Sequence, residues 1–350
     1  YAMAVDEARG RLYVGGNFLT AGGAPATGVA AWDGQAWSAL GAGVGTGVLA
    51  LVVWKGLLVA GGTFRQSGEC QCLSLLASWN GEAWAALPDN YNINSDVRTL
   101  AATTEFTEEL GPPALFVGGN YYVYENGDMK TPVERWDGTS WSSLSGGLYM
   151  DSGTTVAALS VVHLPVASPP APPPTSAPPA VLPLFALGSS PGDYGHNAAW
   201  NGSAWSRLGS GTDDSIFAGA MYDNVLYVGG LFDYVGPIDA RSLATWDGDR
   251  WDKVPGTDVM KGNVVALAVF QSYLYVGGDF WESPAFYNGS GDTAAYLIRW
   301  DGAEWSTVGE APLDGAVRAL YVSSDWLYVG GSFSQVGNIT TTGVARWAGT

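Results

Sequence analysis

Apolar positions along this chain come in short runs with a period of two, not in long stripes with the period of a helix. One recurring run has the form Val-x-Ala-Leu-x-Val, as at 264–269 and 317–322, and its alternation predicts a strand with one buried face. A second run, Leu-Tyr-Val-Gly-Gly-x-Phe, stands at 12–18, 226–232, 274–280 and 327–333, with variants at 58–64 and 115–121 and a degenerate copy at 184–190. It is apolar throughout, which predicts a strand covered on both sides. A third run ends at a Trp, and a fourth begins at another Trp after Asp-Gly or Asn-Gly and two more residues, as in WDGQAW at 32–37. Asp-Gly between apolar runs is a strong hairpin signal. A two-residue turn at Asp33-Gly34 would set the two tryptophans diagonally on one face, and a four-residue turn would pair them directly.

These four runs form one unit that recurs. The Trp-(Asp/Asn)-Gly-x-x-Trp hairpin appears at 32–37, 79–84, 136–141, 200–205, 246–251 and 300–305, and a seventh copy begins as WAGT at Trp347. Successive first tryptophans are 47, 57, 64, 46, 54 and 47 residues apart. Repeats of this length built from four short strands predict an all-β fold, a seven-bladed β-propeller of four-stranded antiparallel blades. Ring closure would hide the sheet edges that an open array exposes. The whole of 1–350 reads as a single propeller. Residues 1–5 serve as strand a of the first blade, and the seventh unit lacks its outer strand. That mismatch suggests an excerpt of a longer chain.

The combined unit LYVGGxF…GVAxWDGxxWSALGxG resembles the kelch-type repeats of galactose-oxidase-like propellers. It is more similar still to repeats of large secreted bacterial proteins and of fungal cortical polarity-marker surface proteins. The spacing from the Gly pair to the Trp is longer and more variable than in ordinary kelch repeats. The resemblance implies an extracellular seven-bladed propeller and implies no chemistry, since propellers host enzymes, lectins and scaffolds alike.

Composition narrows the partners. A formal net charge of −18 repels phosphates and argues against nucleic acid or an anionic membrane face. No apolar run reaches the roughly 18 residues of a spanning helix, so no membrane insertion is expected from these residues. Two cysteines, Cys70 and Cys72, cannot staple a fold. They are disulfide candidates, with each other or with a segment elsewhere, or free thiols, and a secreted setting favours oxidation.

Differences among the copies mark candidate sites. The connections between strands b and c vary most, at 65–77, 122–132 and 281–295, and they share one face of the disc. Within the last of them, Trp281, Phe286 and Tyr287 form the candidate recognition loop. The other tryptophans are mostly in register with the repeat, 13 of 16, so they belong to blade packing and not to sugar stacking. Trp54 and Trp326 are expected in turns between strands a and b.

The fourth unit is interrupted at 164–183 by LPVASPPAPPPTSAPPAVLP, which holds nine of the 19 prolines. Such a stretch favours polyproline II. It reads either as a tolerated surface insertion or, by similarity to the hydroxyproline-rich glycoproteins of algal and plant matrix, as a modified arm. The second reading makes Pro169, Pro170, Pro172, Pro173, Pro174, Pro178 and Pro179 candidates for hydroxylation and O-linked sugar. Three N-glycosylation sequons begin at Asn201, Asn288 and Asn338, all in expected turns.

Catalytic chemistry has little footing. The two histidines, His163 and His196, are far apart in sequence, no ligand spacing for a metal occurs, and the repeated Asp or Asn before Gly is a turn requirement. No catalytic residue, metal or cofactor is expected. The expectation is a non-enzymatic module of a secreted or cell-surface glycoprotein. It would act in assembly or adhesion with other surface or matrix proteins, copies of itself included, in a setting such as a flagellar mastigoneme. A carbohydrate-binding propeller is the second reading, and a hydrolase or oxidase a distant third.

Overall fold

The computed structural model describes residues 2–65, 75–87, 93–104, 110–121, 123–125, 128–131, 133–144, 148–149, 155–161, 184–189, 197–285, 296–309 and 312–349. The first repeat folds as Ala2–Asp6, Arg11–Gly15, Val29–Trp32 and Trp37–Ala39, paired in that order as an antiparallel sheet. These are strands a, b, c and d of blade 1. Five further sheets repeat the order, with strand a at Val48–Trp54, Val97–Ala102, Thr155–Val161, Ile216–Tyr222 and Val264–Phe270. Blade 7 has Val317–Val322, Leu327–Gly331 and Val344–Trp347, three strands among the described residues. Each strand a packs on strand a of the next blade, and that of blade 7 packs on that of blade 1, so the ring is closed. The one helical element among the described residues is a single 3-10 turn, Thr257–Val259. No described helix is long and apolar enough to cross a membrane.

The Gly-Gly that ends strand b is explained by what surrounds it. A Cβ on the first glycine would meet the opening valine of strand a in the next blade: Val97 at 2.3 Å from Gly61, Val264 at 2.2 Å from Gly229 and Val317 at 2.5 Å from Gly277. A Cβ on the second would meet a backbone carbonyl beside strand a of its own blade. Gly119 faces the Asp96 oxygen at 2.0 Å, Gly230 that of Ser215 at 2.0 Å and Gly278 that of Asn263 at 2.0 Å. Blades therefore approach near the axis to a distance that no side chain permits.

Strand a departs from the simple alternation read in the sequence. In blades 2 to 7 the pairing of strands a and b slips by one residue, between Val48 and Ala50, Val97 and Thr99, Val156 and Ala158, Ile216 and Ala218, Val264 and Ala266, and Val317 and Ala319. The x of Val-x-Ala is thus a β-bulge residue. It turns out of the ladder while the residue before it stays buried.

The hairpin between strands c and d resolves the turn. Trp32 pairs directly with Trp37 across a four-residue connection, and five other blades repeat the pairing. A two-residue turn would need positive φ at both Asp and Gly; here only Gly34 has it, at 100°. The aspartate works through its side chain. Asp33 Oδ1 accepts the N–H groups of Gln35 and Ala36, each at 2.8 Å. Asn80, Asp137, Asn201, Asp247 and Asp301 do the same in their own turns. The indole rings of the six pairs lie 5.0–5.5 Å apart at 38–56°.

The N–H three residues on, at Ala36, Ser140, Arg250 and Glu304, is the main cause that holds the carboxyls of Asp33, Asp137, Asp247 and Asp301 below the ordinary carboxylate range. A depressed folded-state value means stability that is present above the unfolded value, about 3.9. It is lost as pH falls through the folded values. Replacing all four by Asn, which already fills two of the turns, should keep the hairpins and flatten the fall in stability below about pH 4. Urea midpoints between pH 7 and pH 2.5 measure this, and an unchanged acid limb in the fourfold variant assigns the acid sensitivity elsewhere.

Trp54 also differs from expectation. It closes strand a of blade 2 instead of sitting in the turn, is 3% exposed, and donates its indole N–H to the Thr103 carbonyl of blade 3 at 3.2 Å. A ring this large at a strand end buries more surface against the next blade than it could in a turn.

Candidate interaction face

Strands b end, and strands a begin, on the same side of the ring, so the b–c connections and the d–a connections share a face. In blades 1, 5 and 7 the b–c connection folds as a small hairpin: Thr20–Ala21 with Ala24–Pro25, Tyr234–Val235 with Ile238–Asp239, and Gln335–Val336 with Ile339–Thr340. In blade 3 the backbone of 123–125 and 128–131 makes a comparable hairpin, extended by Leu148–Tyr149 from the d–a connection.

In blades 5 and 7 the d–a connection braces the hairpin that follows it. Asp213 Oδ1 accepts the N–H groups of Asp233 and Tyr234 at 3.1 and 2.9 Å. Asp314 does the same for Ser334 and Gln335 at 2.7 and 2.8 Å and also accepts the Ser334 hydroxyl. That hydroxyl and the Gln335 N–H keep the Asp314 carboxyl charged to lower pH than usual. Both aspartates are thus structural acceptors.

The b–c connections present exposed apolar side chains. Leu19 is 64% exposed, Ile339 71%, Trp281 54%, Tyr234 48% and Leu231 43%. They belong to blades 1, 7, 6 and 5, which are consecutive round the ring, and all lie on the b–c face. At the axial mouth of the same face stand the bulge residues Leu49, Arg98, Ala157, Phe217, Val265 and Arg318. Phe217 is exposed; Arg98 pairs with Asp96 and Arg318 with Asp279, each at 3.4 Å. An apolar arc rimmed by carboxylates can bind a surface with apolar pockets and a basic border.

Of the residues singled out from sequence, Trp281 lies on this arc. Asn338 is exposed at the turn of the blade 7 hairpin on the same face. Asn201 is exposed on the opposite face, in a c–d turn, where its Oδ1 accepts three hydrogen bonds and its amide nitrogen donates none. A sugar on that nitrogen leaves the turn intact. Phe286, Tyr287, Asn288, Cys70, Cys72, and the 164–183 segment with its seven candidate prolines lie outside the described residues. Sequence reasoning missed Leu19, Leu231, Tyr234 and Ile339. Their signal is an apolar residue inside a Gly-bounded connection, where polar residues are the rule.

The first part of the chain has a recognisable relative at the level of a domain family. Residues 1–171 match the family described as the Rax2 C-terminal beta propeller domain. That span covers blades 1 to 3 and strand a of blade 4. No curated protein matches the sequence. Among solved structures, Sqt1 of Saccharomyces cerevisiae is 12% identical with a TM-score of 0.50, over 94% of this chain and 79% of that one. The WD40 propeller domain of Doa1 is 12% identical with a TM-score of 0.44, over 85% and 76%. The computationally designed Ika8 protein is 14% identical with a TM-score of 0.47, over 99% and 95%. At such identities the likeness to Sqt1 concerns the fold alone.

Proposed function

We propose that this propeller is a non-enzymatic scaffold of a secreted or cell-surface glycoprotein, and that it holds protein partners on its b–c face. The observation that carries this is the arc of Leu19, Leu231, Tyr234, Trp281 and Ile339. Five large apolar side chains stand exposed on one face, and those of blades 5 and 7 sit on connections braced by Asp213 and Asp314, where burying them costs little conformational entropy. The match of residues 1–171 to a propeller domain of a fungal cortical protein supports a surface setting. So do the exposed sequons at Asn201 and Asn338. The kelch-like kinship, the hydroxyproline-rich arm at 164–183 and a filament such as a mastigoneme are parts of this reading that the compositional resemblance motivates.

A lectin is the second reading, because the exposed Trp281 offers a ring face for sugar stacking. One set of measurements separates the two on material from the native secretory pathway. The scaffold predicts binding to a surface or matrix protein fraction that falls at least about tenfold in Tyr234→Ser/Ile339→Ser, with an unchanged melting midpoint. It also predicts glycan on at least one of Asn201, Asn288 and Asn338 by peptide mass spectrometry. Micromolar binding on a glycan array, abolished by Trp281→Ala, would establish the lectin instead. Unmodified peptides at all three sequons and across 164–183 would remove the secretory setting.

A further inference from the structure

Blade 5 holds three of the six large apolar side chains that stand exposed among the described residues: Phe217, Leu231 and Tyr234. Phe217 and Leu231 follow the two members of the Ile216–Gly230 pair, where strands a and b meet the b–c face. Tyr234 opens the hairpin just beyond. The backbone beneath them is tied down. The Leu231 N–H donates to the Ser215 carbonyl at 2.8 Å, the Asp213 N–H to the Tyr234 carbonyl at 3.0 Å and the Gly236 N–H to the Gly211 carbonyl at 3.0 Å. A partner therefore meets a surface that is already in shape, and its binding orders little new backbone.

Three carboxylates stand among these side chains. Asp233 precedes Tyr234, Asp213 Oδ1 accepts the Tyr234 N–H at 2.9 Å, and Asp214 Oδ1 accepts the N–H and the hydroxyl of Ser215 at 2.6 and 2.9 Å. All three are exposed, and none makes an ion pair among the described residues. The bases of this side are engaged elsewhere. Arg241 pairs with Asp239 at 2.7 Å, Lys253 with Asp258 at 2.8 Å, Lys261 with Glu282 at 2.9 Å and Arg318 with Asp279 at 3.4 Å. Arg207, which ends strand d of blade 4, pairs with none of the three. Blade 5 thus joins exposed apolar side chains to negative charge that no described base neutralises.

Charge complementarity selects what can cover this surface. A neutral apolar partner over Leu231 and Tyr234 would strip water from the carboxylates and return no counter-charge, which is costly. A second copy of this chain would bring the same carboxylates and a formal net charge of −18, so like charges would meet. A cationic partner repays the lost water at each carboxylate. Arginine does so best, because its planar guanidinium can reach two carboxylates at once and can lie flat on an aromatic ring.

We propose that blade 5 docks a segment of a protein partner in which an arginine is flanked by large apolar residues. The guanidinium sits among Asp213, Asp214 and Asp233 against the Tyr234 ring, and the apolar neighbours cover Leu231 and Phe217. This rests on the reading of the b–c face as a protein-binding face and names the chemistry of what that face holds. Apolar contact supplies the affinity, and the carboxylates supply the selection for arginine.

The test uses the 350-residue chain and a phage-displayed library of random peptides, screened at about 0.1 M salt. Selected peptides are resynthesised and titrated by calorimetry. They should carry arginine beside large apolar residues and bind one to one. Asp213→Asn/Asp214→Asn/Asp233→Asn, which keeps the side-chain acceptors of the connection, should weaken them about tenfold. Asp33→Asn/Asp137→Asn/Asp301→Asn changes the net charge equally on the opposite face and should leave binding within about twofold. Lysine in place of the peptide arginine should weaken binding about threefold or more. Melting midpoints close to that of the parent chain show that both variants are folded. An empty selection, peptides selected without arginine, or equal weakening by the two triple variants overturns the arginine site. If such peptides are still lost in Tyr234→Ser/Ile339→Ser, the b–c face stands as a protein-binding face with another chemistry; if they tolerate that variant too, both readings fall. Concentration-dependent dimers in sedimentation equilibrium that Tyr234→Ser weakens would give blade 5 to a second copy and overturn the stated occupant.

Discussion

Gly230→Ala is expected to cost about 3 kcal/mol or more, among the largest effects of any single-methyl addition to this protein. The new Cβ would sit 2.0 Å from the Ser215 carbonyl oxygen. That oxygen is already held by the Leu231 N–H at 2.8 Å, so backbone on both sides must move. Gly229→Ala should cost somewhat less, about 1–3 kcal/mol. Its Cβ would meet the side chain of Val264 at 2.2 Å, which a shift between blades can partly relieve. Gly10→Ala is the control. Its φ of 61° is strained for alanine, but no atom lies within 4 Å of the new Cβ, so the loss should stay near 1 kcal/mol. Urea unfolding of the three variants gives the order, and a Gly10 variant as damaging as Gly230→Ala would sink the close-approach account of the Gly pair.

Trp251→Ala should cost about 3–5 kcal/mol. The side chain is 5% exposed, packs 5.1 Å from the Trp246 ring and donates to the Leu208 carbonyl of blade 4. Its removal takes away the contact within blade 5 and the tie across the seam together. Trp251→Phe keeps most of the packing and strands that carbonyl, for a loss of about 1–2 kcal/mol. Trp37→Ala, at the seam between blades 7 and 1, should cost only about half as much as Trp251→Ala, because its ring is half-buried and its N–H ties no neighbouring blade among the described residues. Thermal and urea midpoints of the three variants test this, and equal losses at Trp37 and Trp251 would mean that the closing seam is as well packed as the rest.

The repeat made the ring legible before any coordinates. Strand order, blade count, the hairpin at each Trp pair and the short outer side of blade 7 all follow from runs that each fold locally and recur. The choice between a two-residue and a four-residue turn was open in the sequence, because Asp-Gly serves both; the carboxylate hydrogen bonds at Asp33 and its counterparts decide it. The bulge at Leu49, Arg98 and Phe217 was hidden because Val-x-Ala looks like plain alternation. Only pairing with a strand that must pass the next blade's valine without a side chain reveals the slip.

The interaction face was legible only at Trp281, an aromatic residue outside the repeat frame. Tyr234 and Ile339 carry in sequence only the weak signal of an apolar residue in a connection. Their exposure is set by hairpins that Asp213 and Asp314 brace from about 20 residues away, and no local pattern encodes a brace between a d–a connection and the hairpin that follows it. The sequence by itself therefore determined what each unit is, since alternation, turn chemistry and paired tryptophans act over a few residues. The tertiary structure alone decided which side chains reach solvent together, because that depends on contacts between units that the ring brings together.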